Sequence, residues 1–347
     1  MFKRLFYVLF VVFFLNGCYL AKQGFHILKF QFNAEDIDRL INDENTHAEL
    51  REFLLLVKEI KNYAVEEIGL EKNKNYTRYV ELEKDYLVDV VSACEKDRFA
   101  PYRWAYPFFG KFPYKGFFVR DYAEREAKRL ERKGYDVIIR RVDAFSTLGF
   151  FTDPVYSFMT EYSLYQIASL IIHELTHSTI FLKNYIEFNE RLATFVGEEG
   201  ARTFIEEKYG MDSEHYREAV DFAEDFNRFV ELIQSLYGEL SVVYASGLRR
   251  EEKLEKKEKI IRAFNLKLKS SFHLFKTERF MNIQIPVNNA YIMTYMRYTE
   301  DLSLFYELYE KNSRNLNRMV KALKGLIGYK GDPEEYLKKK LSDREEL

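Results

Sequence analysis

The apolar positions of this chain keep a helical period over most of its length, and one stretch departs from it. Between Leu164 and Phe181, the residues Leu164, Ile167, Ala168, Leu170, Ile171, Ile172, Leu175, Ile180 and Phe181 leave almost no polar face. All-round apolarity predicts a buried helix. Elsewhere, spacings of three and four predict amphipathic helices. Near the start these are carried by Ile37, Leu40 and Ile41, then by Leu50, Phe53, Leu54, Val57 and Ile60. Others run from Tyr122 to Lys133, stopped by Gly134, and from about Glu187 to Tyr209, closed by Gly210. A long helix follows the Asp212-Ser213 cap, with Phe229, Ile233, Leu236 and Leu240 inside, and more fill 261–275 and 289–327.

The texture differs between Lys72 and Phe151. Tyr86 to Val91 and Tyr135 to Ile139 predict strands, Phe117 to Val119 another, and Phe145 to Phe151 an extended segment. Pro101, Pro107, Gly110, Pro113 and Gly116 punctuate an aromatic loop region holding the single tryptophan, Trp104. Asp153-Pro154 reads as the cap of the buried helix, with Pro at its first position. An extended segment before that helix can pair with a peptide by main-chain hydrogen bonds, which makes Ser146, Thr147, Leu148 and Gly149 candidate substrate-binding residues. An ordinary core hairpin explains the same pattern.

The buried helix carries His173-Glu174-Leu175-Thr176-His177, an H-E-x-x-H match. Residues four apart share a helix face, so both imidazoles can reach one metal ion, with Glu174 beside a water on it. A buried His-Glu-His set without partners is costly, and a metal satisfies it. Catalytic zinc takes three protein ligands and keeps one position for water. The third ligand expected is Glu190, with Glu187, Glu198 and Glu199 as competitors. Thr194 or Glu198 can orient a ligand histidine. Glu174 is the expected general base, then general acid, of peptide hydrolysis. His26 and His47 stand alone and read as packed or surface residues.

The first residues differ from the rest. Met1-Phe2-Lys3-Arg4 is basic, and Leu5 to Leu15 is an apolar run too short to span a bilayer. Leu15-Asn16-Gly17-Cys18 resembles the lipobox of bacterial lipoproteins, in which Cys18 carries the lipid. The chain has only one other cysteine, Cys94, so no disulfide framework is expected if Cys18 is acylated. The expected location is the bacterial cell envelope, lipid-anchored and facing outside the cytoplasm. A net charge of −2 over 347 residues argues against a nucleic-acid partner. The mixed charge run from Arg249 to Lys259 reads as a solvated helix face.

Together these patterns predict an α+β fold, predominantly α-helical. A small β-sheet, about residues 80–150, packs on a zincin-like helix, and a helical C-terminal portion completes the cleft. The expected division is 1–17 signal peptide, 18–74 N-terminal helical segment, 75–210 catalytic core, 211–328 C-terminal helical portion and 329–347 charged tail.

Several segments carry a resemblance. They are Tyr114-Lys115-Gly116-Phe117-Phe118, Gly134-Tyr135-Asp136-Val137, Ala144 to Phe150 with Asp153-Pro154, the His173 motif, Phe188-Asn189-Glu190 with Ala193-Thr194, and Asn288-Asn289-Ala290 followed by Tyr298. Over most of residues 75–300 the chain is similar to a family of bacterial zinc aminopeptidases, many of them lipoproteins, once catalogued as a domain of unknown function. The activity is itself a prediction for that family. The resemblance implies that His173, His177 and Glu190 bind Zn2+ and that Glu174 is catalytic. It also implies that Asn288, Asn289 or Tyr298 returns to the cleft, with Tyr298 as oxyanion donor. The family usually has Ala and Gln where this chain has Thr176 and Ser178. The competing readings are a zinc endopeptidase and a non-catalytic envelope lipoprotein with a structural zinc.

Overall fold

The computed structural model describes residues 19, 24–106, 110–142, 152–277, 280, 287–296 and 302–342. Among them the chain is predominantly helical, with small sheets of two or three strands, as the apolar periods predict. Ser146 to Gly149, Tyr298 and Cys18 lie outside the described residues.

The helices are α1 (24–33), α2 (Ile37–Asn42), α3 (Ala48–Glu66), α4 (Arg120–Arg132), α5 (Leu164–Thr179), α6 (Ile186–Tyr209), α7 (Glu214–Ala245), α8 (Arg250–Ser270) and α9 (Asn289–Met296). Three more follow: α10 (Ser303–Lys311), α11 (Leu316–Leu323) and α12 (Pro333–Ser342). One sheet joins β1 (Glu35–Asp36), β2 (Arg78–Val80) and β8 (Val155–Tyr156), with β8 parallel to β2. A second sets β3 (Val88–Glu95) between β6 (Tyr114–Phe117) and β7 (Tyr135–Val142), both antiparallel to it. A hairpin pairs β4 (Trp104–Tyr106) with β5 (Gly110–Phe112).

The largest core gathers α5, α6 and α3, and Val88 and Val90 of β3 reach it. Ile167, Ala168, Ile171, Ile172 and Leu175 of α5 are buried there on successive faces, which is what all-round apolarity requires. The central sheet is covered on both sides. Ala123, Ala127 and Leu130 of α4 pack against Val91, Ala93 and Phe117. Cys94 and Ile138 turn toward the α7–α8 pair and α9, where Phe229, Ile233 and Leu240 meet Phe264 and Ile292. Cys94 is a free, buried thiol, and burial pushes it up to about 12, so it packs as a small apolar residue.

Four expectations need correction. Asp153-Pro154 does not cap α5, because β8 and a 3₁₀ turn intervene. Ser163 is the cap: its hydroxyl accepts from Gln166 N, and the Gln166 side chain accepts from Ser163 N at 3.0 Å. Asn288 and Asn289 do not turn toward the motif helix. Asn289 N donates to Asp136 Oδ2 (2.9 Å), its amide donates to Glu95 O (2.8 Å), and Tyr244 Oη donates to its Oδ1 (2.8 Å). Asn288 Nδ2 donates to Val137 O. These residues, with Asp136, staple α9 and α7 to the sheet. The charge run on α8 is mostly solvated, but Lys257 is buried and pairs with Asp136. Of the expected tail, residues 329–342 are not simply a tail. α12 docks Leu337 fully in the main core, and Glu334 accepts from Arg191 at 2.6 Å, the residue after Glu190.

Candidate metal centre

Two helices bring the site together, and small residues let them approach. On α6, Ala193, Gly197, Gly200 and Ala201 recur at spacings of three and four and are buried. A Cβ at Gly197 would stand 2.9 Å from the Ser169 carbonyl oxygen and 3.1 Å from His173 Cβ. The first distance is shorter than real side chains show and the second is tight, so the absence of a side chain there sets the α5–α6 separation where His173 sits.

The link between the helices is held as firmly. Asn184 turns it in the left-handed region (φ 74°), which Asn adopts more readily than most residues. Buried Asn189 clasps Leu182 with both ends of its amide: Leu182 N donates to its Oδ1, and its Nδ2 donates to Leu182 O, each at 2.9 Å. That clasp fixes the first turn of α6 and points the next residue, Glu190, back at α5.

The result is a convergence of three donors. His173 Nε2 and His177 Nε2 lie 3.1 Å apart. Glu190 Oε2 is 3.7 Å from the first and Oε1 is 3.5 Å from the second. One ligand atom from each residue lies within 4.8 Å of the others, the only such group of three among the described residues. His173 is 21 % exposed, His177 16 % and Glu190 42 %, so the group opens to solvent on the carboxylate side. Burial raises Glu190, but the two imidazoles outweigh it and hold the carboxyl at about 2. Burial lowers His177, and the hydrogen-bonded Glu190, with Glu174 adding to it, brings the net shift upward. Two imidazole nitrogens and a carboxylate directed at one point fit a divalent cation in the borderline class.

The rivals for the third donor are elsewhere. Glu199 is paired with Arg202. Glu198 lies two turns beyond Glu190, beside the charge of Glu199, and bears on Tyr165 and Tyr306. Glu187 joins no metal-binding group among the described residues. Neither Thr194 nor Glu198 orients His177, whose Nδ1 is buried with no partner among the described residues. Thr176 and Ser178 do not touch the donors. The Thr176 hydroxyl donates to Ile172 O inside its own helix, and Ser178 accepts from Asn75 Nδ2 at 3.2 Å.

Burial, with Glu199 beside it, pushes Glu198 up to about 7. A carboxyl raised in the fold is favoured protonated, so its contribution is intact below the unfolded value near 4.5 and is lost as pH rises through about 7. Glu198→Gln should therefore be more stable than the parent at pH 8 by roughly 1–2 kcal/mol, with the gap closing at pH 5. Urea unfolding at the two pH values checks it; an equal gap at both contradicts it.

Sequence reasoning missed Asp153 and Tyr76. Asp153, half-buried, is pushed up to about 7 by burial and then by the charge of Glu174. Its carboxyl has no hydrogen bond or cation among the described residues. Its main chain is fixed, with Asp153 N donating to Asn75 Oδ1 (3.1 Å) and Asp153 O accepting from Tyr76 N (2.7 Å). Tyr76 is buried, and its phenol is raised by burial and then by the Glu174 and Asp153 charges. The only signal in the chain was Asp153-Pro154, which local rules read as a cap.

Two imidazoles and a carboxylate on adjacent helices make this a protein with a candidate centre for one metal ion. The chain belongs to the family described as "Putative aminopeptidase", whose model matches residues 18–337. No curated protein and no solved structure matches it. Membership supports a peptidase-like function.

Proposed function

We propose that this chain is a zinc aminopeptidase of the bacterial cell envelope, held by a lipid on Cys18. The observation that carries the reading is the convergence of His173, His177 and Glu190, with Glu174 next to a ligand, in a chain of this family. His173, His177 and Glu190 would hold the zinc ion, which would supply Lewis acidity toward a water and the scissile carbonyl. Glu174 takes the proton of the attacking water and passes it to the departing amine as the C–N bond breaks. Tyr298 is the proposed donor to the developing oxyanion, and Ser146, Thr147, Leu148 and Gly149 the strand that aligns the peptide. Three ligands among the described residues favour an open, hydrolytic site over a closed structural one.

Asp153 supplies the acid that an aminopeptidase needs for the substrate's ammonium. It lies within the field of Glu174 and has no competing partner among the described residues. The membrane reading is supported at the other end of the chain. Phe25, Leu28 and Phe32 form an exposed stripe on α1 (66 %, 44 % and 84 %), within fifteen residues of Cys18. No helix among the described residues is long and apolar enough to cross a membrane.

Peptides with free and acetylated N-termini test the exopeptidase reading. The free amine should be hydrolysed and the blocked one rejected. Protonating Asp153 removes its charge, so KM for free-amine peptides should rise below about pH 7. Asp153→Asn should raise that KM about tenfold and remove this part of its pH dependence. Equal rates on free and blocked peptides would make the enzyme an endopeptidase instead.

A further inference from the structure

Apolar side chains next to the donors are left in water. Four residues beyond His177, just past the end of α5, stands Phe181, 50 % exposed. Four residues before Glu190, on the same face at the start of α6, stands Ile186, 52 % exposed. The Phe181 ring meets the His177 imidazole edge-on, with centroids 6.3 Å apart and planes at 72°. These side chains are not on a loose loop. Ile180 before Phe181 is buried, and Leu182 after it is held at both main-chain groups by Asn189. Rigid display of apolar surface beside polar donors is the arrangement of a ligand subsite, where a few polar groups fix orientation and apolar walls supply affinity.

Resting on the peptidase reading above, we infer that Phe181 and Ile186 form the wall that receives a side chain of the peptide next to the scissile bond. The substrates favoured are peptides with a large apolar residue, such as leucine or phenylalanine, at that position. The occupant is a substrate side chain rather than a partner protein because the surface is continuous with a donor: Phe181 touches the imidazole of His177 itself. A charged side chain there would lose hydration against the two apolar residues without gaining a partner from them.

The test uses the full chain loaded with zinc and matched peptides bearing Leu, Phe, Ala or Asp next to the scissile bond. Leu and Phe should exceed Ala in kcat/KM by about tenfold or more. The double variant Phe181→Ala/Ile186→Ala should bring that ratio to within about twofold. Val242→Ser, at a more exposed apolar position on α7, should leave the ratio alone. Binding gives a second readout. Calorimetry of the Glu174→Gln protein should show tighter Kd for the Leu than the Ala peptide, and the two wall substitutions should flatten the difference. Hydrolysis with no apolar preference, or with a preference that the double variant keeps, overturns the subsite and leaves the peptidase reading standing. Neither hydrolysis nor binding of any peptide overturns both.

Discussion

Glu174→Gln is expected to retain bound metal and to lose peptide hydrolysis by at least about 1000-fold, the upper part of the range for a general acid–base group. The amide keeps the shape of the side chain and cannot take a proton. Glu174 is not one of the three donors, so the ligand set of His173, His177 and Glu190 is untouched. The effect should fall on kcat more than on KM, because the proton is in transit only in the transition state. Steady-state kinetics with metal analysis on the same preparation reads both. A variant that keeps its metal and turns over at a tenth of the parental rate or better removes Glu174 from the chemistry.

Gly197→Val is expected to damage stability and the site together. The added Cβ would press on the Ser169 carbonyl oxygen at 2.9 Å and on His173 N at 3.3 Å, both main-chain atoms. A helix cannot yield one atom at a time, so α5 and α6 must separate, at a cost of about 3 kcal/mol. Because His173 sits on that contact, separation moves it away from Glu190, and metal affinity should fall with stability. Gly200→Ala is the comparison. Its Cβ would meet side-chain atoms of Ile68 and Ile172 first, rather than main-chain atoms, and alanine favours the helix. Denaturant midpoints and metal titrations should rank Gly200→Ala above Gly197→Val on both measures. Parental stability and affinity in Gly197→Val would show that the close approach is not needed.

What was legible in the sequence was local. The period of α5, its buried character and the four-residue spacing of His173 and His177 are properties of one helix, and the residues state them directly. Glu190 was harder, since its approach depends on a turn and on a clasp. Asn189 was visible as a residue, but its two bonds to Leu182 depend on the chain folding back at Asn184. The start of α5 was misread because Asp153-Pro154 and Ser163-x-x-Gln166 both satisfy the local rules for a helix start. The pairing of β8 with β2 and the 3₁₀ turn after it exclude the first. Long-range polar pairing was not legible at all. Asp136 and Asn289 are 153 residues apart and become one buried network only in the fold. In α12 the charged half of the segment hid the spacing of Pro333, Tyr336, Leu337 and Leu341, which pack on the core at helical intervals.

The most direct test of the metal centre is a count of zinc bound per chain, measured in the parent and in His173→Ala, His177→Ala and Glu190→Ala. One equivalent in the parent, lost in both histidine variants and held more weakly in Glu190→Ala, is the expected result. A parent that binds no zinc, or histidine variants that keep a full equivalent, would contradict a centre built from these three residues.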